Sequence, residues 1–164
     1  MNWVIFLAVT AGVVLGLIFN WSRLKGAIDN NKRYKDEKDK GNMIRRDSEI
    51  WTEEELFFTY RPFDEILNEI KSKDYNNCRV TVEPHVNDNF ILFKGPGFNA
   101  SLDYKGKQEE KYVYSFYFPA YKDRVYEFAG DMNILLTTVE KAFLSLDNGT
   151  MTETHKLAYH TRRD

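Results

Sequence analysis

Hydrophobic positions along this chain fall into three regimes, and the first is continuous. From Trp3 to Phe19 every residue is apolar or small except Thr10, and charge begins only at Arg23. As a helix rising 1.5 Å per residue, Trp3 to Trp21 would run about 28 Å, close to the roughly 30 Å hydrocarbon thickness of a bilayer. A cleaved secretory leader would carry a basic start and a small-residue cleavage site at its end, whereas Ala8-Val-Thr-Ala11 lies mid-run. A helix buried in a globular core would normally show one polar face, and this run shows none. Trp3 and Trp21 bracket it, as aromatic rings do at headgroup interfaces. The pattern predicts a single transmembrane anchor over residues 1–22. Ala8, Gly12 and Gly16 recur at four-residue spacing, which predicts close helix–helix packing with a second copy or another membrane helix.

The second regime, residues 23–47, is polar and without usable periodicity. It reads as a solvated linker, helical in part, since Asp36 and Lys40 form an i,i+4 pair. The third regime, from about Ser48, alternates between helical and strand spacing. Thr52-Glu-Glu-Glu55 fits a capping box, and Leu56, Tyr60, Phe63, Leu67 and Ile70 follow at steps of three and four, predicting a helix that Pro62 either kinks or restarts. On that reading the acids Glu53, Glu54 and Glu55 serve the helix macrodipole.

Short alternating segments come next: Arg79 to Glu83, Asn89 to Lys94, Phe98 to Tyr104 and Tyr112 to Phe118. Gly95-Pro-Gly97 and Lys105-Gly-Lys107 read as turns, and Pro119 as the end of the fourth strand. Short connections predict an antiparallel meander. A second amphipathic helix places Met132, Leu135, Leu136, Val139, Phe143 and Leu146 on one face, with Asn148-Gly149 as its stop. Weak alternation in residues 150–164 allows a fifth strand or a frayed tail.

The expected fold is α+β: a single N-terminal transmembrane helix, then over residues 48–149 a two-layer domain with a four- or five-stranded antiparallel meander and two helices, in the order α-β-β-β-β-α. One detail presses on that picture. Asn89–Lys94 and Tyr112–Phe118 are apolar on both faces, more than a sheet with one wet face requires. Helix, tail, ligand or partner must cover the second face.

Charge adds direction. The chain of 164 residues has net charge −2, yet residues 23–46 hold nine basic and four acidic side chains, so the remainder is acidic. Basic residues after the apolar run, none before it, predict a cell-membrane protein whose C-terminal domain faces the cytoplasm. Lone Cys78 agrees, having no disulfide partner. Arg23, Lys25, Lys32, Arg33 and Lys35 are candidate contacts for anionic headgroups.

Candidate chemistry changes the picture little. No nucleotide loop, nucleophile elbow, zinc spacing or basic nucleic-acid footprint is present, so no catalytic residue, metal, cofactor or nucleic-acid partner is expected. What stands out is twelve Phe, ten Tyr and three Trp. Tyr112, Tyr114, Phe116 and Phe118 are the candidate aromatic face for a partner or ligand, with a ring-packed core as the other account. The resulting expectation is a tethered protein-interaction, adaptor or regulatory module. The alternative is a ligand-binding or enzymatic domain with an aromatic-lined pocket for an apolar or lipid-like molecule.

Overall fold

A computed structural model describes residues 3–43, 50–157 and 162–163. The chain divides into two compact units, residues 1–39 and 40–164. The first is a single helix, α1 (Trp3–Asp39), which runs without a break from the apolar stretch through the charged one. This corrects two expectations. Residues 23–39, expected to be helical only in part, are helix throughout. Among the described residues, moreover, no helix is long and apolar enough to cross a membrane. A span needs about 20 predominantly apolar residues. Here Thr10 and Asn20 bracket the stretch of purely apolar or small side chains, and Asn20 turns its amide back to donate to the Gly16 carbonyl at 2.9 Å. The transmembrane anchor, the cell-membrane location and the cytoplasmic orientation all lose their premise, because the charge rule has no spanning helix to orient.

The second unit is α+β, as expected, but its layout differs. Its strands are β1 (Glu53–Thr59), β2 (Thr81–His85), β3 (Phe90–Lys94), β4 (Phe98–Gln108), β5 (Lys111–Tyr121) and β6 (Met151–Lys156). They form an antiparallel sheet in the order β2-β3-β4-β5-β1-β6, with a two-residue strand β7 (Arg162–Arg163) beside the end of β5. Helix α2 (Phe63–Ser72) follows β1, and α3 (Ala129–Leu146) follows β5.

The largest correction is β1. The segment expected to open a helix is instead a strand paired with β5 on one side and β6 on the other. Alternation decides it: Glu55, Phe57 and Thr59 are buried, while Leu56 and Phe58 between them are half-buried. Two neighbouring strands satisfy its backbone on both edges, which a local capping box cannot match. The helix begins only after Pro62, at Phe63.

Two further breaks expected in the meander do not occur. Pro119 lies within β5, at a register shift where the strand bulges opposite Asn99 to Ser101, so its missing N–H need not break the ladder. Gly106 lies within β4 at a second shift, and its φ of +111° suits glycine. The hairpin turns at Glu109-Glu110, between the paired residues Gln108 and Lys111.

Both α2 and α3 pack on one face of the sheet. Phe57 stacks on Phe143 of α3 with centroids 4.3 Å apart, and Tyr114 meets the same ring edge-on at 5.3 Å. Ile66, Leu67 and Ile70 of α2 are buried, and the Tyr75 hydroxyl just beyond donates to the Ile70 carbonyl at 3.0 Å. Asp147, at the end of α3, ties this layer to β1. It accepts from the Thr59 hydroxyl at 2.7 Å and from the Tyr60 amide at 2.9 Å.

Candidate functional site

Register sorts every strand residue onto one of two faces. Tyr114, Phe116 and Phe118 turn toward the helices and are buried, and Tyr112 is half-buried at the rim of the same layer. Three of the four candidate face residues are therefore core, and the ring-packed account of them holds. Residues between them, Val113, Ser115 and Tyr117, point the other way.

That second face is the one without α2 or α3. It presents, strand by strand, Phe90 and Leu92 on β3, Ser101 and Asp103 on β4, and Ser115 and Tyr117 on β5. Glu54, Leu56 and Phe58 follow on β1, with Met151, Glu153 and His155 on β6. The apolar members on β1 and β3 are half-buried.

A polar row crosses the middle. Asp103 accepts hydrogen bonds from the Ser101 hydroxyl and, at 3.0 Å, from the Tyr117 hydroxyl. Lys105 lies 3.2 Å from the same carboxylate. The Ser115 hydroxyl donates to Glu54. Burial, and then the Asp103 charge beside it, pushes the Tyr117 phenol up to about 12. The hydroxyls thus stay protonated and committed to carboxylates, which suits a fixed hydrogen-bonding surface better than general-base chemistry.

Beside this row lies an open groove of roughly 570 Å³, with Leu56, Phe58 and Met151 as its apolar part and Gln108, Glu109, Lys111, Glu153 and His155 as its polar part. Between sheet and α3, by contrast, the space lined by Glu53, Glu55, Phe116 and Leu136 amounts to about 10 Å³, room for about one water molecule. The acids expected at a helix start are strand residues instead. Glu55 is buried toward the helices and accepts from the Thr154 hydroxyl at 2.8 Å, whereas Glu54 serves the bare face.

The remaining candidates lie on α1. Gly12 and Gly16 are exposed with open space around them, and Ala8 is one turn earlier on the same helix. Lys25, Lys32 and Lys35 are exposed, Arg33 reaches Asn30 at 3.5 Å, and Arg23 is on the same helix. Among the described residues no spanning helix lies beside them, so the premise on which they were read as headgroup and helix–helix contacts is gone. Among the described residues no group of His, Cys, Asp and Glu is arranged to hold a metal.

Sequence reasoning missed Leu56, Phe58, Glu153 and His155 as surface residues. The available signal was the double-sided apolarity of Asn89–Lys94 and Tyr112–Phe118, which already required the second face to meet something. No family model matches the chain, and neither does any curated protein or solved structure.

Proposed function

We propose that residues 50–157 form a protein-interaction module, an adaptor or regulatory component that binds through the bare face of its sheet. One observation carries this reading: both helices of the unit pack on the same face, leaving half-buried Leu56, Phe58, Phe90 and Leu92 around the Asp103 and Glu54 rows on the other. Apolar patches bordering fixed polar groups are the composition of a transient protein interface. The partner surface would lay apolar side chains on the Leu56/Phe58 and Phe90/Leu92 patches and present donors to the carboxylates between them. The groove of roughly 570 Å³ supports a second reading, a small apolar ligand held against Leu56, Phe58 and Met151.

Photo-crosslinking separates the two. A benzophenone side chain placed at Leu92 or at Phe58 should form an adduct with one and the same polypeptide, and the same group at exposed Leu144 of α3 should not. Equal labelling from all three positions, or none from the face, would overturn the interaction reading. A small-molecule adduct confined to Phe58 would establish the second.

A further inference from the structure

The two edges of the sheet are unlike. On the β2 edge, the Tyr104 amide donates to the Asn89 carbonyl at 2.9 Å, which fixes the phase of β3. With Asn89 and Ile91 turned to β4, Phe90 and Leu92 turn to β2. Their β2 partners His85 and Glu83 turn inward, so Pro84 turns outward. Of the two outward residues of β2, Val82 and Pro84, the second therefore offers no donor, a standard protection against strand addition.

The β6 edge has no such protection. All six residues from Met151 to Lys156 are exposed, with no proline or bulge among them. The Leu157 amide donates to the Thr52 carbonyl at 2.9 Å, so Leu157, His155, Glu153 and Met151 bond to β1. The N–H and C=O groups of Thr152, Thr154 and Lys156 therefore point outward, a row of three donors and three acceptors centred on Thr154.

We propose that this edge pairs with β6 of a second copy, antiparallel and centred on Thr154. The side chains select both occupant and register. With Thr154 on the two-fold axis, Thr152 and Lys156 exchange backbone hydrogen bonds with the partner's Lys156 and Thr152. Glu153 then stands directly opposite the partner's His155, and Met151 opposite the partner's Leu157, each pair occurring twice. These are non-hydrogen-bonded positions, where Cα atoms approach to about 4.5 Å and side chains meet most closely. Centring on Glu153 or on His155 would instead set each against its own copy and leave part of the outward row unmatched. The strand is complementary to itself in one register.

A two-fold axis between antiparallel strands stands perpendicular to the sheet, so both bare faces lie on the same side of a twelve-stranded sheet. The two grooves then meet along the axis, where Met151, Glu153 and His155 line each of them. This goes beyond the interaction reading above, since it concerns the edge and would hold if that face bound nothing.

The test is sedimentation of the full chain across a concentration series. Wild type should show a monomer–dimer equilibrium. Thr154→Pro removes an outward donor and no backbone bond to β1, losing besides only the hydroxyl bond to Glu55, and should weaken the dimer about tenfold or more. Thr154→Val loses the hydroxyl bound to Glu55 but keeps the donor, and should dimerise like wild type. His155→Glu should weaken the dimer through facing acids, and the exchange Glu153→His with His155→Glu should restore it. The second pair of variants stays informative if the proline variant fails to fold. Hydrogen exchange at the Thr154 and Lys156 amides should slow as concentration rises. A monomer throughout the series would overturn the proposal. So would a dimer indifferent to Thr154→Pro and His155→Glu, as association through α1 would give.

Discussion

Tyr117 sits where two demands meet. Its ring is half-buried on the bare face, and its hydroxyl is bound to Asp103. Burial favours the neutral phenol, and so does the neighbouring carboxylate, so both raise its pKa in the same direction. Because the folded value, about 12, lies above an unfolded value near ~10, the stabilising contribution is complete below pH ~10 and is lost as pH rises toward 12. Asp103→Asn should bring the phenol down, but not to its ordinary value, since burial is the larger cause. Absorbance at 295 nm against pH reads this directly, and an unchanged midpoint would remove Asp103 from the account. Single residues also explain part of what the sequence hid. Pro119 and Gly106 carry strong turn signals in isolation. Bulges within long strands absorb both, and a bulge depends on the partner strand, which local spacing does not reveal.

Among the elements, β1 was the hardest to read and α3 the easiest. The stripe Met132, Leu135, Leu136, Val139 and Phe143 is buried as its spacing predicts, because a helix makes its own hydrogen bonds and only its face must match the core. In β1 both faces are apolar beyond Glu55, so period two is masked, and three consecutive acids imitate a helix start. What makes it a strand is pairing with β5, some sixty residues later, and with β6, almost a hundred later. The bare face was half legible. Double-sided apolarity announced that the second face mattered, but which alternate set faced the helices depended on long-range packing. The corner where α3, β1 and α2 meet is held by Asp147. Bonds from the Tyr60 amide, the Thr59 hydroxyl and the Gly149 amide favour its charged form and depress its pKa. A depressed carboxylate stabilises the fold above its unfolded value near ~3.9 and loses that contribution as pH falls through the folded value. Urea midpoints from pH 6 downward should therefore decline below about pH 4. In Asp147→Asn the decline should be shallower and the midpoint at pH 6 lower. Parallel curves for the two proteins would show the corner to be insensitive to this charge.

At the scale of the molecule, the buried hydrophobic residues among those described all fall between Ile50 and Phe143, within the second unit. That unit contains a core of its own, and none of these described residues lies on α1. Removing residues 1–39 should leave a cooperative unfolding transition with nearly unchanged denaturant dependence, since the slope follows the surface exposed on unfolding. Loss of the transition by circular dichroism would mean that the sheet unit depends on the helix.

Pro84 has a consequence at this scale as well. A strand edge that accepts another copy threatens unlimited growth, because each added sheet would offer its far edge to the next. Head-to-tail addition of β6 to β2 would have no reason to stop, and would build a fibre. The proline ring on the far edge removes that option and leaves β6 only its own likeness to pair with, so the assembly closes at two. One residue far from the interface thereby separates an assembly of fixed size from a polymer.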